Sequence, residues 1–586
     1  MDVFSIFSLL GGLALFLFGM DIMGKSLEKQ AGGKLKNILE KLSNNPIKGF
    51  LLGLTVTAII QSSSATTVMV VGFVNSGIMN LSQAIGVIMG SNVGTTATAW
   101  LLSLTGIEGE NFFVQMLEPS TFAPILAVIG ILMYMGSKKT KKQNIGTILL
   151  GFAILMSGMQ TMSAAVKPLA GVPEFTALFT IFENPILGLL IGAVLTAILQ
   201  SSSASVGILQ ALAVTGAISY ASAIPIILGQ NIGTCVTALI SSIGANKNAK
   251  RAAVVHLYFN LIGSTLFLVV FYIITSMFEI SAISQGVTPL GIAIVHTVFN
   301  VLATLILLPF TKVLAKIATA TIRDNKEEIA KGEKFQILDE RLLVTPFVAV
   351  ERSKQLVYKM LDEAQHAVAL SITLIDQWDE KVSENVIKIE KDVDEYEDKL
   401  GSYLMKLSVE DLDVENSYEV SRILHVIGDI ERISDHALNI RNVCKEMLDK
   451  NTTFTTEALK GINVLNSAVL DIIDVTFKSY NINDEKIAFE VEPFAKVIYE
   501  LIREVKSQHI DRLKAGTCTI EMGFVLMDLL AAYKRLADRC SNIALSTIEL
   551  GHGQMEAHGY ILNLDKDENS LYNKYLNMQR KKYTLY

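Results

Sequence analysis

The chain reads as all-α in two parts: a polytopic membrane domain of two inverted repeats with two re-entrant hairpins, then a cytoplasmic helical bundle. Three observations predict this. Charge is divided unevenly along the chain, apolar stretches of membrane-spanning length are confined to its first part, and a polar motif recurs there at a fixed offset.

Among the 586 residues, positions 1–320 hold 10 Asp and Glu against 16 Lys and Arg, whereas 321–586 hold 47 against 34. The two parts suit different solvents, and a chain of this length exceeds a single hydrophobic core. Cys235, Cys444, Cys518 and Cys540 lie far apart, without Cys-x-x-Cys spacing or a nearby His at finger spacing. That pattern argues against a disulfide framework or a zinc finger. No charged tail points to a nucleic-acid partner. The apolar start lacks the basic region and small-residue cleavage site of a signal peptide, so the first apolar segment is expected to remain as a span.

About 20 apolar residues at 1.5 Å each cross a hydrocarbon core of roughly 30 Å. Seven stretches qualify: 3–23, 83–104, 120–136, 145–162, 222–243, 252–278 and 289–318. Two more, 46–60 and 185–199, are shorter and run directly into Gln-Ser-Ser-Ser, which predicts re-entrant hairpins. A polar break at membrane depth survives only where protein or a wet cavity satisfies the backbone, so such a break points to a lined site.

Cytoplasmic loops are enriched in Lys and Arg. The basic loops are 25–48, 138–142 and 247–251, whereas 105–119 and 279–288 carry only the acids Glu108, Glu110, Glu118 and Glu279. An outside N-terminus with seven crossings places every basic loop and the C-terminal part inside.

Gln61-Ser62-Ser63-Ser64 recurs as Gln200-Ser201-Ser202-Ser203, an offset of 139 that also aligns Asn45-Pro46 with Asn184-Pro185 and Thr57-Ala58 with Thr196-Ala197. The same offset pairs Gly90-Ser91-Asn92-Val93-Gly94-Thr95 with Gly229-Gln230-Asn231-Ile232-Gly233-Thr234. Three crossings separate equivalent points, so the copies are expected to be inverted. Secondary transporters place their sites where such copies meet near the midplane. Hydroxyl and amide oxygens suit a hard monovalent cation, and their O–H and N–H donors, with helix N-termini, suit an oxyanion. The alternative for one Ser-rich patch is close helix packing, which two copies in the same context disfavour.

His256 and Asn260, and His296 and Asn300, share a His-x-x-x-Asn spacing that puts both polar groups on one helix face. Interhelical hydrogen bonding is the expected role. Asp21, replaced by Gln160 in the second copy, is expected at the membrane interface. A serine hydrolase is disfavoured, because no Gly-x-Ser-x-Gly turn occurs and neither histidine has an acid nearby in sequence.

The paired Gln-Ser-Ser-Ser motifs, each followed by Gly-x-Asn-x-Gly-Thr, resemble the sodium/phosphate cotransporter family related to the type II carriers of animals. The resemblance covers about 1–318 and implies phosphate as substrate and sodium as coupling ion. It implies substrate contacts at Gln61, Ser62, Ser63, Ser64, Gln200, Ser201, Ser202 and Ser203. It further implies sodium contacts at Thr66, Asn92, Thr95, Ser205, Asn231 and Thr234. Ser91 and Gln230 stand where the animal carriers more often have Ala, a departure that bears on ion number.

From about 340 to 550 the chain reads as six amphipathic helices in two sets of three, with breaks near 379, 412, 452, 483 and 518. Glu431-Arg432-Ile433-Ser434-Asp435 returns 103 residues later as Lys534-Arg535-Leu536-Ala537-Asp538. This part resembles a PhoU-like domain. The resemblance implies a divalent-metal or iron cluster on Glu390, Asp394, Glu431 and Asp435. In the second copy Lys534 and Lys496 break the acid pattern. Exposed charged helix faces are the alternative reading of these acids.

The expected organisation is a transport domain at 1–318, with repeats at about 6–136 and 145–278 and an extra span at 289–318. A linker at 319–340, a PhoU-like domain at 341–550 and a tail at 551–586 follow. The expected function is sodium-coupled phosphate transport in the cell membrane, not catalysis. A regulatory partner, or a second copy of the chain, is expected to meet the PhoU-like part. The alternatives are phosphate export on the same scaffold, or a membrane-anchored regulator without transport.

Overall fold

The computed structural model describes residues 3–40, 45–107, 109, 111–278, 280–323, 337–410, 412–552 and 571–585, with backbone alone for 31–40, 174, 176, 178, 180, 282 and 549–552. It forms two compact units, Met1–Thr345 and Pro346–Tyr586. Glu108, Glu110 and Glu279, and the middle of the expected linker and tail, lie outside the described residues.

The first unit opens with α1 (Val3–Glu40) and α2 (Pro46–Ile60). Asn45 caps α2 by accepting from the Ile47 N–H, and Pro46 takes the first helical position, where a missing N–H is harmless. Gln61 ends α2 in the left-handed region at φ 60°, and Ser62 at once caps α3 (Ser63–Asn75) by accepting from the Ala65 N–H. A capping box of Asn80 and Gln83 then starts α4 (Leu81–Gly94), which α5 (Thr96–Ser103) continues. The short α6 (Phe112–Leu117) and the longer α7 (Pro119–Gly136) follow.

The same grammar is repeated after α8 (Thr140–Val166) and α9 (Pro173–Ile181). Asn184 caps α10 (Pro185–Leu199), Gln200 ends it at φ 54°, and Ser201 caps α11 (Ser202–Ala213) through the Ala204 N–H. Ser219 caps α12 (Tyr220–Ser241), and α13 (Lys247–Met277), α14 (Pro289–Leu307) and α15 (Thr311–Thr321) complete the helices.

Among the described residues, seven helical segments are long and apolar enough to cross a membrane: Val3–Gln30, Leu81–Gly106, Pro119–Gly136, Thr140–Gly171, Tyr220–Ser241, Lys247–Met277 and Pro289–Thr321. They coincide with the seven expected stretches. The shorter α2 with α3, and α10 with α11, form the two arms of the two hairpins. Leu132, Ile198, Val269 and Leu305 leave large apolar surfaces exposed, as lipid-facing helices do.

Backbone contact locks these helices together. A Cβ on Gly12 would stand 2.9 Å from the Gly158 carbonyl oxygen, and one on Gly19 would stand 2.7 Å from that of Gly151. Gly12 and Gly151 are equivalent at the 139 offset, as are Gly19 and Gly158, so α1 and α8 cross antiparallel with reciprocal contacts.

After α15 the chain returns to this unit at Asp339–Thr345. Leu342 is buried over Gly72, Asp339 accepts from Asn75 Nδ2 at 2.6 Å, and Arg341 Nη2 donates to the Ile243 carbonyl at 2.8 Å.

The second unit contains α16 (Pro346–Asp376), α17 (Glu380–Leu407), α18 (Val414–Asp449), α19 (Thr456–Ile482), the single-turn α20 (Glu485–Ala488), α21 (Val491–Lys514) and α22 (Ile520–His552). Each long helix buries one stripe. Along α17, Val386, Ile389, Val393, Tyr396, Leu400 and Leu404 are buried, while Lys388, Asp394, Glu395 and Lys399 are exposed. Within the segment expected as a tail, α23 (Leu571–Lys582) packs on α21. Leu576 and Tyr583 are buried there, and the Tyr583 ring stacks on Phe494 at 5.4 Å.

Candidate transport site at the paired hairpins

Each hairpin reverses at its Gln. The left-handed backbone of Gln61 and Gln200 ends one helix, and the following Ser starts the next, so the first-turn N–H groups of α3 and α11 face the break. Ser64 Oγ donates to the Gln200 carbonyl at 3.3 Å, which brings the two tips together. Gln200 is exposed and Gln61, Ser62, Ser64 and Ser201 are half-buried, whereas Ser63, Ser202 and Ser203 are buried. Gln61 is braced, because its Oε1 accepts from Thr98 Oγ1 at 2.9 Å and its Nε2 donates to the Ala58 carbonyl. The eight residues expected to contact substrate therefore occupy adjoining tips that present hydroxyl, amide and backbone N–H donors. Such a set suits a tetrahedral oxyanion.

Of the residues expected to contact sodium, Thr66 lies on α3, Asn92 and Thr95 at the end of α4, Ser205 on α11, and Asn231 and Thr234 on α12. Thr66 donates to the Ser62 carbonyl at 3.0 Å, Thr95 to that of Ser91 at 3.0 Å and Thr234 to that of Gln230 at 2.9 Å. Asn92 is held by α13, with His256 Nε2 at 3.3 Å from its Oδ1 and Asn260 Oδ1 at 3.4 Å from its Nδ2. Asn231 Nδ2 donates to the Ile227 carbonyl at 2.9 Å, and the Ser205 hydroxyl has no partner. The expected interhelical bonding therefore holds for His256. His296 departs from it: both ring nitrogens are buried without a partner, and Asn300 turns its Nδ2 to the His296 carbonyl instead.

Several further polar side chains escaped the sequence reading. Thr57 bonds to Thr66 and Ser91, Thr98 braces Gln61, and the buried Gln210 clamps the carbonyls of Ala99 and Pro289 at 3.1 Å each. Thr57 and Thr98 carried a signal, since each recurs at the 139 offset; Gln210 carried none beyond being polar in an apolar run. Asp21 lies exposed and pairs with Lys25 at 2.9 Å, as an interfacial acid would.

In the second unit the acids of α17 and α18 draw near one another. Partial burial, then the Asp435 carboxylate, pushes Glu431 up to about 7. Burial, Asp435 and Asp394 likewise raise Glu390. The metal cluster expected on Glu390, Asp394, Glu431 and Asp435 is not preformed. Among the described residues no group of three or more His, Cys, Asp or Glu side chains is placed to hold an ion. Asp394 is exposed, and the Asp435 carboxylate beside Glu431 repels its charged form. Asp429 is committed elsewhere, accepting from Arg539 at 3.0 Å and Asn542 at 3.2 Å. In the second copy, Asp538 accepts from the Tyr499 hydroxyl at 2.6 Å.

Comparison with known proteins converges on the same two parts. The sequence profile described as Na+/Pi-cotransporter matches residues 15–164 and again 154–297, two matches that begin 139 residues apart. The PhoU domain profile matches 357–443. A protein of Salmonella typhimurium described as a putative inorganic phosphate export protein, YjbB, is 25% identical over 547 residues, covering 92% of this chain and 97% of its own. An uncharacterized Bacillus subtilis protein, YqeW, is 31% identical over 306 residues, 52% of this chain and 94% of its own. The sodium-dependent phosphate transport protein 2A of Rattus norvegicus is 38% identical over 99 residues, 16% of this chain and 15% of its own. The chain is a membrane protein that carries a PhoU domain, and it belongs to the Na+/Pi-cotransporter family.

Proposed function

We propose that the chain moves inorganic phosphate across the cell membrane, driven by sodium, through a site at the two Gln-Ser-Ser-Ser tips. The observation that carries this reading is the Ser64 to Gln200 contact, which joins two duplicated anion-binding helix starts into one polar locus. Gln61–Ser64 and Gln200–Ser203 hold phosphate, while Thr66, Asn92, Thr95, Ser205, Asn231 and Thr234 serve sodium. Neutral donors suffice, because cotransported cations supply the balancing charge.

The reciprocal crossing of α1 and α8 supports an inverted relation between repeats at about 6–136 and 145–278. On that plan 1–318 is the transport domain, the N-terminus lies outside, and the PhoU-like part at 341–550 is cytoplasmic. There it regulates flux through a partner or a second copy of the chain. The names of the YjbB relatives favour a second reading, in which net flux is outward; gradients and kinetics set that direction.

Labelled-phosphate flux through the purified chain in proteoliposomes, under opposed gradients, tests both readings. The coupled-carrier reading expects flux that Gln61→Ala and Gln200→Ala abolish in protein that still folds. Undiminished flux in both variants overturns the site.

A further inference from the structure

Residues 339–345, the last of the first unit, form a short strap against the far end of the first hairpin. They hold a single 3₁₀ turn (Glu340–Val344), and the next residue, Pro346, opens α16 of the second unit. Asp339 accepts from Asn75 Nδ2 at 2.6 Å, and the Arg341 guanidinium donates to the Ser241 and Ile243 carbonyls, the latter at 2.8 Å. Leu342 is fully buried. A Cβ on Gly72 would stand 3.0 Å from Leu342 Cδ2 and 3.2 Å from Arg341 Cβ.

The groups that the strap holds are helix ends. Gly72 and Asn75 belong to the last turn of α3, whose first turn carries the proposed phosphate site. Ser241 closes α12, where terminal carbonyls lack intrahelical partners and an arginine satisfies them. Asn75 Oδ1 also accepts from the Asn246 N–H at 2.7 Å, and Asn246 Nδ2 donates to the Asn75 carbonyl at 2.9 Å, while Asn246 itself caps α13. One knot therefore joins the strap to α3 of the first repeat and to α12 and α13 of the second. Since α3 has 13 residues, about 20 Å of stiff helix connects this knot to the tip at Ser64.

The second repeat closes the matching end of α11 differently. Val214 stands at the place of Asn75 and cannot make its bonds. The cover there is main-chain: the Val287 N–H donates to the Ile218 carbonyl at 2.7 Å, and the Tyr220 N–H to the Gln285 carbonyl at 3.2 Å. The side-chain knot thus sits on the repeat whose covering segment runs straight into the second unit.

We infer that residues 339–345 are a latch through which the second unit controls the first hairpin. Docked, the strap ties α3 to α12 and holds the tip still; drawn off from Pro346, it frees α3 to move. Its hold is small enough to release, because the strap fully buries one apolar side chain, Leu342, while Val344 is exposed. The latch deepens the regulation proposed above, and its effect on flux rests on that transport reading.

Two measurements on the full chain test it. Gly72→Cys combined with Arg341→Cys sets two thiols within reach of a disulfide. In proteoliposomes, oxidation by copper–phenanthroline is expected to lower labelled-phosphate flux at least tenfold, and dithiothreitol to restore it, unlike in either single variant. Undiminished flux with the disulfide formed overturns the latch. Hydrogen exchange reads the same claim without flux. Leu342→Ala is expected to speed amide exchange at least tenfold along α3 as far as the tip; acceleration confined to 72–75 assigns the strap to static packing and overturns the latch. Should α3 exchange as expected in a chain whose wild type carries no phosphate, the latch stands and the transport reading fails.

Discussion

Gln200 separates backbone from side chain in a measurable way. Its φ of 54° lies in the left-handed region, which costs a residue bearing a Cβ about 1–2 kcal/mol. Glycine escapes that cost but loses about 0.5–1 kcal/mol more unfolded-chain entropy than alanine. The net expectation is that Gln200→Gly is more stable than Gln200→Ala by about 0.5–1 kcal/mol. Both variants lose the same amide, and both keep the backbone carbonyl that accepts from Ser64. In a unit of this size that difference raises the unfolding midpoint by about 1–2 °C, read at a single scan rate in detergent. Phosphate flux should vanish in both. A glycine variant that melts below the alanine variant refutes the strained turn. A glycine variant that transports at the wild-type rate refutes the amide's place in the site.

Gly90→Ala drives a Cβ to 1.9 Å from the Phe50 carbonyl oxygen and should abolish the monodisperse size-exclusion peak, whereas Gly11→Ala meets nothing within 4 Å and should leave it intact. Glu431 titrates near 7 in the folded chain, above its ordinary range of about 4.3, so the folded state holds its proton more tightly. Its contribution to stability is full below that ordinary value and is lost as pH rises through about 7. Glu431→Gln should therefore flatten the fall in melting midpoint of the full chain between pH 5 and pH 8. At the C-terminus, Leu576→Ala empties a buried position and should cost about 2–5 kcal/mol, seen as faster proteolytic release of α23. Arg580→Ala, which breaks the solvent-exposed pair with Glu500, should cost under about 1 kcal/mol.

Local structure was legible where one residue type has one backbone use. Asn-Pro at 45–46 and 184–185 starts a helix, Gln-Ser at 61–62 and 200–201 breaks one, and their recurrence at one offset predicted that both copies would fold alike. The apolar runs marked the spans for the same reason, since lipid tolerates little else. Pairings between distant side chains were not legible. Ser64 meets the Gln200 carbonyl across 136 residues, and Asn92 meets His256 across 164, through helix packing that no local spacing records. The shared His-x-x-x-Asn spacing misled, because His256 faces Asn92 whereas neither ring nitrogen of His296 has a partner. The acids of α17 and α18 lie near enough for Asp435 to raise Glu431, but helix spacing alone does not say whether such acids form a ligand set. The packing of α23 escaped because 571–582 is too short and polar to announce a buried face.

The most direct test of the account is uptake of labelled phosphate into proteoliposomes of the purified chain under an inward sodium gradient, compared with potassium or choline. The account predicts uptake that needs sodium and disappears in Gln200→Ala. Correctly folded protein that carries no phosphate in either direction, under any of these gradients, would contradict it.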